Sequence, residues 1–232
     1  GPPPALGKDA PTTDSYTASD VGSKRGLYDP ADGPRRAMVF AKSTGRVYYT
    51  TASESGLVRY DPAKGGDPVK VEAESPGLRA SSEETKAGVV YAVSTGQGGR
   101  EPTLYAFDTK TEKVTALGSP VVGTSAYITA LKADPTGRYL YYVPGAHGGA
   151  ERSGTPVVQF DTKTKAKKVI ALLHPFYKEK YGVTPVGTYS YALSPDGADL
   201  YVTWNASRDG AKGWDTCVLS VIHIPASERK SE

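Results

Sequence analysis

His147, His174 and His223 are the only histidines, and Cys217 is the only cysteine. These are the side chains with the widest reach in acid–base, nucleophilic and metal chemistry. No Cys or second His stands near His147 or His174 at the short spacing of a structural zinc site, so no metal is expected. Cys217 has no local base and heads an apolar strand-like run, where a small buried hydrophobe is expected. Glu83-Glu84 is a carboxylate pair, but it lies in a turn and reads as solvated. Gly96-Gln97-Gly98-Gly99 sits between two strand-like runs and does not open a helix, so a phosphate cradle is not expected. Asp61, Asp108 and Asp161 look catalytic in isolation. Each follows an aromatic residue and opens a turn such as Asp108-Thr109-Lys110-Thr111, so backbone capping is the expected role. His223 closes a strand-like run and suits a capping or surface role.

The remaining candidates gather in a few connectors. They are His147, Glu151 and Arg152, then His174, Tyr177, Lys178 and Tyr181, then Arg208, Asp209, Lys212 and Trp214, with Arg100 and Glu101 from an earlier connector. The mixture is polar, aromatic and somewhat basic. It suits an acidic or sugar-like ligand, or a protein partner.

Residues 126–173 show what positions these connectors. Four short runs rich in Val, Ile, Tyr and Thr alternate with turns rich in Gly, Pro, Asp and Thr. In Asp134-Pro135-Thr136-Gly137, Pro presets φ for a type I turn and Gly tolerates the exit. The strand after that turn recurs as Val47–Thr50, Val89–Val93, Tyr139–Val143 and Leu200–Trp204. The next strand recurs as Leu57–Asp61, Leu104–Asp108, Val157–Asp161 and Val218–Ile222. A period of roughly 40–60 residues with four strands per unit is the pattern of a β-propeller.

Ala192-Leu193-Ser194-Pro195-Asp196-Gly197-Ala198-Asp199-Leu200-Tyr201-Val202 resembles the repeat core of WD40-like propellers of the TolB, YVTN and lactonase types. Ala133–Tyr141 resembles it more loosely, and the Trp-Asp ending of standard WD40 repeats is missing. The resemblance implies architecture: an all-β propeller of four-stranded antiparallel blades, with about four blades and an incomplete ring. The expected blades are about 35–75, 76–118, 124–173 and 187–228, after an extended Pro-rich arm over 1–34. Leu27-Tyr28-Asp29 resembles the end of a third strand. The ring could belong to a longer propeller, be completed by a further chain, or be closed by the arm.

In such a blade the second-to-third connector shares a face with the link to the next blade. Those connectors are the long ones here: 94–103, 144–156, 205–216 and the link 173–188. Loops on a rigid scaffold carry binding groups, so this long-loop face is the expected working surface. The first reading is therefore a non-catalytic binding or assembly module, without a cofactor. The alternative is a propeller enzyme, a lactonase-like hydrolase or a quinoprotein-type dehydrogenase. The resemblance would put its site at the central channel, near Arg36, Arg79, Tyr127 and Tyr189.

The 232 residues suffice for one β domain with a sizeable core. Sixteen Tyr against four Phe means ring packing with hydroxyls that reach polar partners. A net charge of +3 from 28 basic and 25 acidic residues, with no basic stripe, argues against nucleic acid. No apolar run spans a membrane. One cysteine permits no internal disulfide, which argues against a small extracellular disulfide scaffold and fits the cytoplasm or a bacterial periplasm equally; the expected compartment is periplasmic or secreted, with the cytoplasm left open. The expected partners are a protein or a surface polymer, besides any chain that completes the ring.

Overall fold

The computed structural model describes residues 34–51, 57–65, 67–71, 78–95, 101–208 and 214–230. Fifteen strands form four antiparallel sheets. Sheet 1 is β1 (Pro34–Ala41), β2 (Arg46–Thr51), β3 (Leu57–Tyr60) and β4 (Val69–Val71). Sheet 2 is β5 (Leu78–Ser81), β6 (Val89–Ser94), β7 (Leu104–Asp108) and β8 (Val114–Gly118). Sheet 3 is β9 (Lys132–Ala133), β10 (Tyr139–Tyr142), β11 (Pro156–Asp161) and β12 (Lys167–Leu172). Sheet 4 has three strands, β13 (Val183–Leu193), β14 (Asp199–Arg208) and β15 (Thr216–His223). Strand order within each sheet runs with the chain, so every sheet is an up-and-down meander. The expected arm lies outside the described residues, apart from Pro34, which opens β1.

The turns form for local reasons. Gly137 N donates to Asp134 O at 2.9 Å, and Gly137 takes φ 73°, which a Cβ would disfavour. Ser194-Pro195-Asp196-Gly197 repeats this turn, with Gly197 N donating to Ser194 O at 2.8 Å. The aspartates after third strands cap backbone as expected. Asp108 Oδ1 accepts from the amides of Lys110 and Thr111, and Asp161 Oδ1 from those of Lys163 and Thr164. Asp61 Oδ1 accepts from Ala63 N at 3.1 Å.

Strand alternation builds the core. On β6, Val90 and Ala92 face sheet 1 and pack with Tyr48, Leu57 and Phe107. Tyr91 and Val93 face the other way and join Leu140, Tyr142 and Trp204 in the larger cluster that runs through sheets 2, 3 and 4. Two of the buried tyrosines satisfy their hydroxyls on backbone. Tyr142 donates to Pro120 O at 2.6 Å, and Tyr191 accepts from Val143 N at 3.1 Å. Burial pushes both phenols well above their ordinary pKa.

The structure corrects four expectations. In place of a first strand from residue 126, the only ladder before β10 is β9 at Lys132–Ala133. The residues ahead of it bond to loops instead: Ala146 N donates to Tyr127 O at 2.9 Å, and Thr129 Oγ1 donates to Thr188 O. The expected loop 173–188 contains helix α1 (Leu173–Tyr181) and the start of β13. Pro175 is tolerated in its first turn, and Gly182 ends it at φ 65° with its N–H on Lys178 O. The connector 205–216 is shorter than expected, because β14 and β15 stay paired from Asp199↔His223 to Ala206↔Thr216. Cys217 is exposed, since it lies on the outward side of β15.

Sheet 4 has no fourth strand among the described residues. The chain turns through a 3-10 segment at Ala226–Glu228 and lies against sheet 3. Gln159 Nε2 donates to Glu228 O at 2.8 Å, and the Tyr139 hydroxyl donates to Lys230 O at 2.6 Å.

Candidate functional site on the long-loop face

A polar row crosses three sheets on the side of the long connectors. Arg79 comes from β5, Tyr127 from the irregular segment before β9, His147 from the β10–β11 loop, and Tyr189 from β13. Arg79 Nε donates to the Tyr127 hydroxyl at 2.7 Å, and its guanidinium lies 5.1 Å from the centre of that ring. The Tyr127 and His147 rings are 5.1 Å apart, and those of His147 and Tyr189 are 5.6 Å apart edge-on. The Tyr189 hydroxyl and His147 Nδ1 form a hydrogen bond. The tilted ring of Tyr127 and the exposed faces of His147 and Tyr189 give a ligand a stacking surface, with Arg79 at one end as a cation.

The scaffold sets this row. Thr188 N donates to Ala146 O at 2.7 Å, which ties β13 to the His147 loop. Gly187 lies so close to that loop that a Cβ would sit 2.6 Å from Ala146 O. Gly148 packs against the Trp214 indole, where a Cβ would come within 3.1 Å of the ring. Trp214 itself takes φ 70°, an unfavourable conformation for a bulky side chain, and its N–H donates to Ser207 Oγ.

The other candidates fall into different surroundings. Arg152 is exposed and lies beside Gly149. Glu151 Oε2 and His174 Nδ1 are buried, and neither has a hydrogen-bond partner among the described residues. Tyr177 is structural in part. Its hydroxyl and the Trp204 indole N–H meet at Ser220 Oγ, at 2.8 and 2.9 Å. Tyr181 joins Tyr177 and Phe176 in an aromatic patch on α1, with Lys180 Nζ 5.2 Å from the Phe176 ring and 5.3 Å from the Tyr181 ring. Arg208 is exposed and lies 3.8 Å from Asp215. Lys212, Asp209 and Arg100 lie outside the described residues, and of Arg36 only its backbone pairing with Thr50 on β1–β2 is described.

His147 from the loop set thus meets Arg79, Tyr127 and Tyr189 from the channel set. Phe176 and Lys180 are not among the sequence candidates. Their spacing with Tyr181 on one helix is the signal that could have found them.

The opposite, short-turn face has a 410 Å3 cavity lined by Glu83, Glu84, Lys86, Lys132, Asp134 and Ser194, among others. Glu84 is not the solvated turn residue expected. It accepts from Ser43 N at 2.9 Å, Ser43 Oγ at 2.6 Å and Thr109 Oγ1 at 2.6 Å, and so latches sheet 1 to sheet 2. Burial alone would raise its pKa, but the Ser43 and Thr109 donors hold it below the ordinary carboxylate value. Among the described residues no three His, Cys, Asp or Glu side chains cluster as a metal site would require, and no helix is long and apolar enough to cross a membrane.

No family model matches the chain, and no curated protein matches it in sequence. Solved structures do match its fold. Hydrazine synthase of Kuenenia stuttgartiensis superimposes over 82% of this chain and 46% of that one, with a TM-score of 0.53 at 15% identity. TolB from Acinetobacter baumannii covers 81% of this chain and 43% of its own, with 0.50 at 13%. The β-propeller domain of Cps50 (Swd1) from Myceliophteria thermophila covers 76% and 52%, with 0.50 at 12%. The chain therefore has a WD40-like β-propeller fold, and among the described residues its sheets are blades that form no closed ring. It spans about half the length of these structures.

Proposed function

We propose that this chain is a non-catalytic propeller module that binds its ligand on the long-loop face. One observation carries this reading: three blades contribute to the contiguous Arg79–Tyr127–His147–Tyr189 row. A cation, phenols and an exposed imidazole, with the Trp214 indole packed on the adjacent Gly148, suit the acidic and hydroxyl groups of a sugar-like surface polymer. Similarity to Cps50 (Swd1) and TolB supports the fold on which such a face is built, and the ligand rests on the row alone.

Trp214 fluorescence is the natural reporter. Titration with polygalacturonate should quench it, and Arg79→Ala or His147→Ala should weaken binding at least tenfold with the melting temperature unchanged. Binding that survives both substitutions overturns the assignment of the face. The same row supports a second reading, a propeller hydrolase, because the His147–Tyr189 pair could relay a proton. Lactone hydrolysis by the purified protein, abolished in His147→Ala, would establish that reading in place of the first.

A further inference from the structure

Helix α1 carries three aromatic rings that meet at a corner. Phe176 and Tyr177 lie 5.9 Å apart at 54°, Phe176 and Tyr181 6.1 Å apart at 87°, and Tyr177 and Tyr181 5.6 Å apart at 90°. The corner is anchored on sheet 4. The Tyr177 hydroxyl donates to Ser220 Oγ at 2.8 Å, and the same oxygen accepts from the buried Trp204 indole at 2.9 Å. The other two rings are open to solvent, with Phe176 52% and Tyr181 57% exposed.

An ammonium already sits at this corner. Lys180 Nζ lies 5.2 Å from the centre of the Phe176 ring and 5.3 Å from that of Tyr181, within cation–π reach of both. Lysine is a poor permanent occupant. Its ammonium is compact and strongly hydrated, and its four-carbon stem is flexible, so it loses water and rotamer freedom by staying over the rings. A quaternary ammonium has no N–H to hydrate and spreads its charge over methyl groups, so the same rings attract it at a lower desolvation cost. A bare cation, however, meets Lys178 and Lys180, the two basic groups of the last turn, against the single carboxylate of Glu179. An anionic group a few bonds from the quaternary nitrogen turns that repulsion into attraction, because Lys180, once displaced from the rings, can pair with it.

We propose that this corner of α1 binds a quaternary ammonium that carries an anionic group, with phosphocholine as the representative ligand. Phe176 and Tyr181 take the trimethylammonium, and Tyr177 supplies the fixed third wall. Lys180 changes from occupant of the rings to partner of the phosphate. The site uses none of the residues of the Arg79–Tyr189 row and stands independently of it.

Phosphocholine titrated into the full chain should give saturable binding by calorimetry. Phe176→Ala should weaken it about tenfold, and Tyr181→Phe, which keeps the ring, should leave it unchanged. Both side chains are exposed, so the melting temperature should not move. Lys180 gives the sharpest readout. Lys180→Ala should tighten the binding of tetramethylammonium, because a competing cation and a like charge are gone. The same substitution should weaken phosphocholine, because the phosphate loses its partner. A change of the same sign for both probes overturns the proposal, as does phosphocholine binding that survives Phe176→Ala, or a wild type that binds no phosphocholine at millimolar concentration. Vesicles of phosphatidylcholine separate the two sources of this ligand. Co-sedimentation abolished by Phe176→Ala upholds the site and assigns it to a lipid headgroup, whereas binding of soluble phosphocholine alone upholds it for the free compound.

Discussion

The two faces of the propeller use their charged groups for opposite ends. On the short-turn face several of the described carboxylates are engaged by the fold. Asp61, Asp108 and Asp161 hold their own turns, and Arg138 pairs with Asp161 at 3.0 Å. Glu84 and Glu112 join blades 1 and 2, Glu112 through Tyr48 and both of its contacts with Arg59 at 2.8 Å. On the long-loop face Arg79, Tyr127, His147 and Tyr189 form a row through ring contacts and two hydrogen bonds, and His147 and Tyr189 stay exposed. One face is spent on holding blades in place. The other presents polar aromatic groups on the scaffold so held.

The largest effect should come from Glu112→Ala, which strips partners from a half-buried guanidinium and a buried phenol. A loss of about 2–3 kcal/mol is expected, seen as a fall in Tm of about 4–10 °C. Glu84→Ala removes three accepted hydrogen bonds but leaves smaller donors behind, so about 1–2 kcal/mol is expected in the same melt. If Glu84→Ala proves neutral, the short-turn face is less structural than its contacts imply.

Acid should act on that face as well. Burial raises the pKa of Glu84, Glu112 and Asp161, but their donors outweigh it and leave all three lowered. Their contribution is therefore complete at neutral pH, above the ordinary carboxylate values, and is lost as the pH falls through their lowered folded values. Between pH 5 and 3 the wild type should lose more stability than Glu84→Ala does, as urea melts at each pH would report. The smallest structural effect should come from His147→Ala, within about 0.5 kcal/mol of wild type, although this is the substitution expected to impair binding most. A large loss of stability there would erase the contrast between the faces.

The Asp-Thr-Lys-Thr turns are legible in the sequence because donor and acceptor lie within three residues. Glu84 is illegible for the converse reason: its partners Ser43 and Thr109 are 41 and 25 residues away, in two other turns. His147 stands among the loop candidates and Tyr189 among the channel candidates, 42 residues apart, and only the packing of blades 3 and 4 makes them a pair. Cys217 falls on the exposed side because alternation on β15 gives two faces without saying which one a neighbour covers.

Sequence alone determined the repeat, the strand identity and the turn chemistry, because these depend on side-chain period and on φ preferences within a few residues. Tertiary structure decided which carboxylates latch blades, which aromatic groups converge, and that Tyr201 and Leu219 are left open where Tyr141 and Val157 are sealed. Those outcomes depend on how one sheet packs against the next, which no local preference encodes.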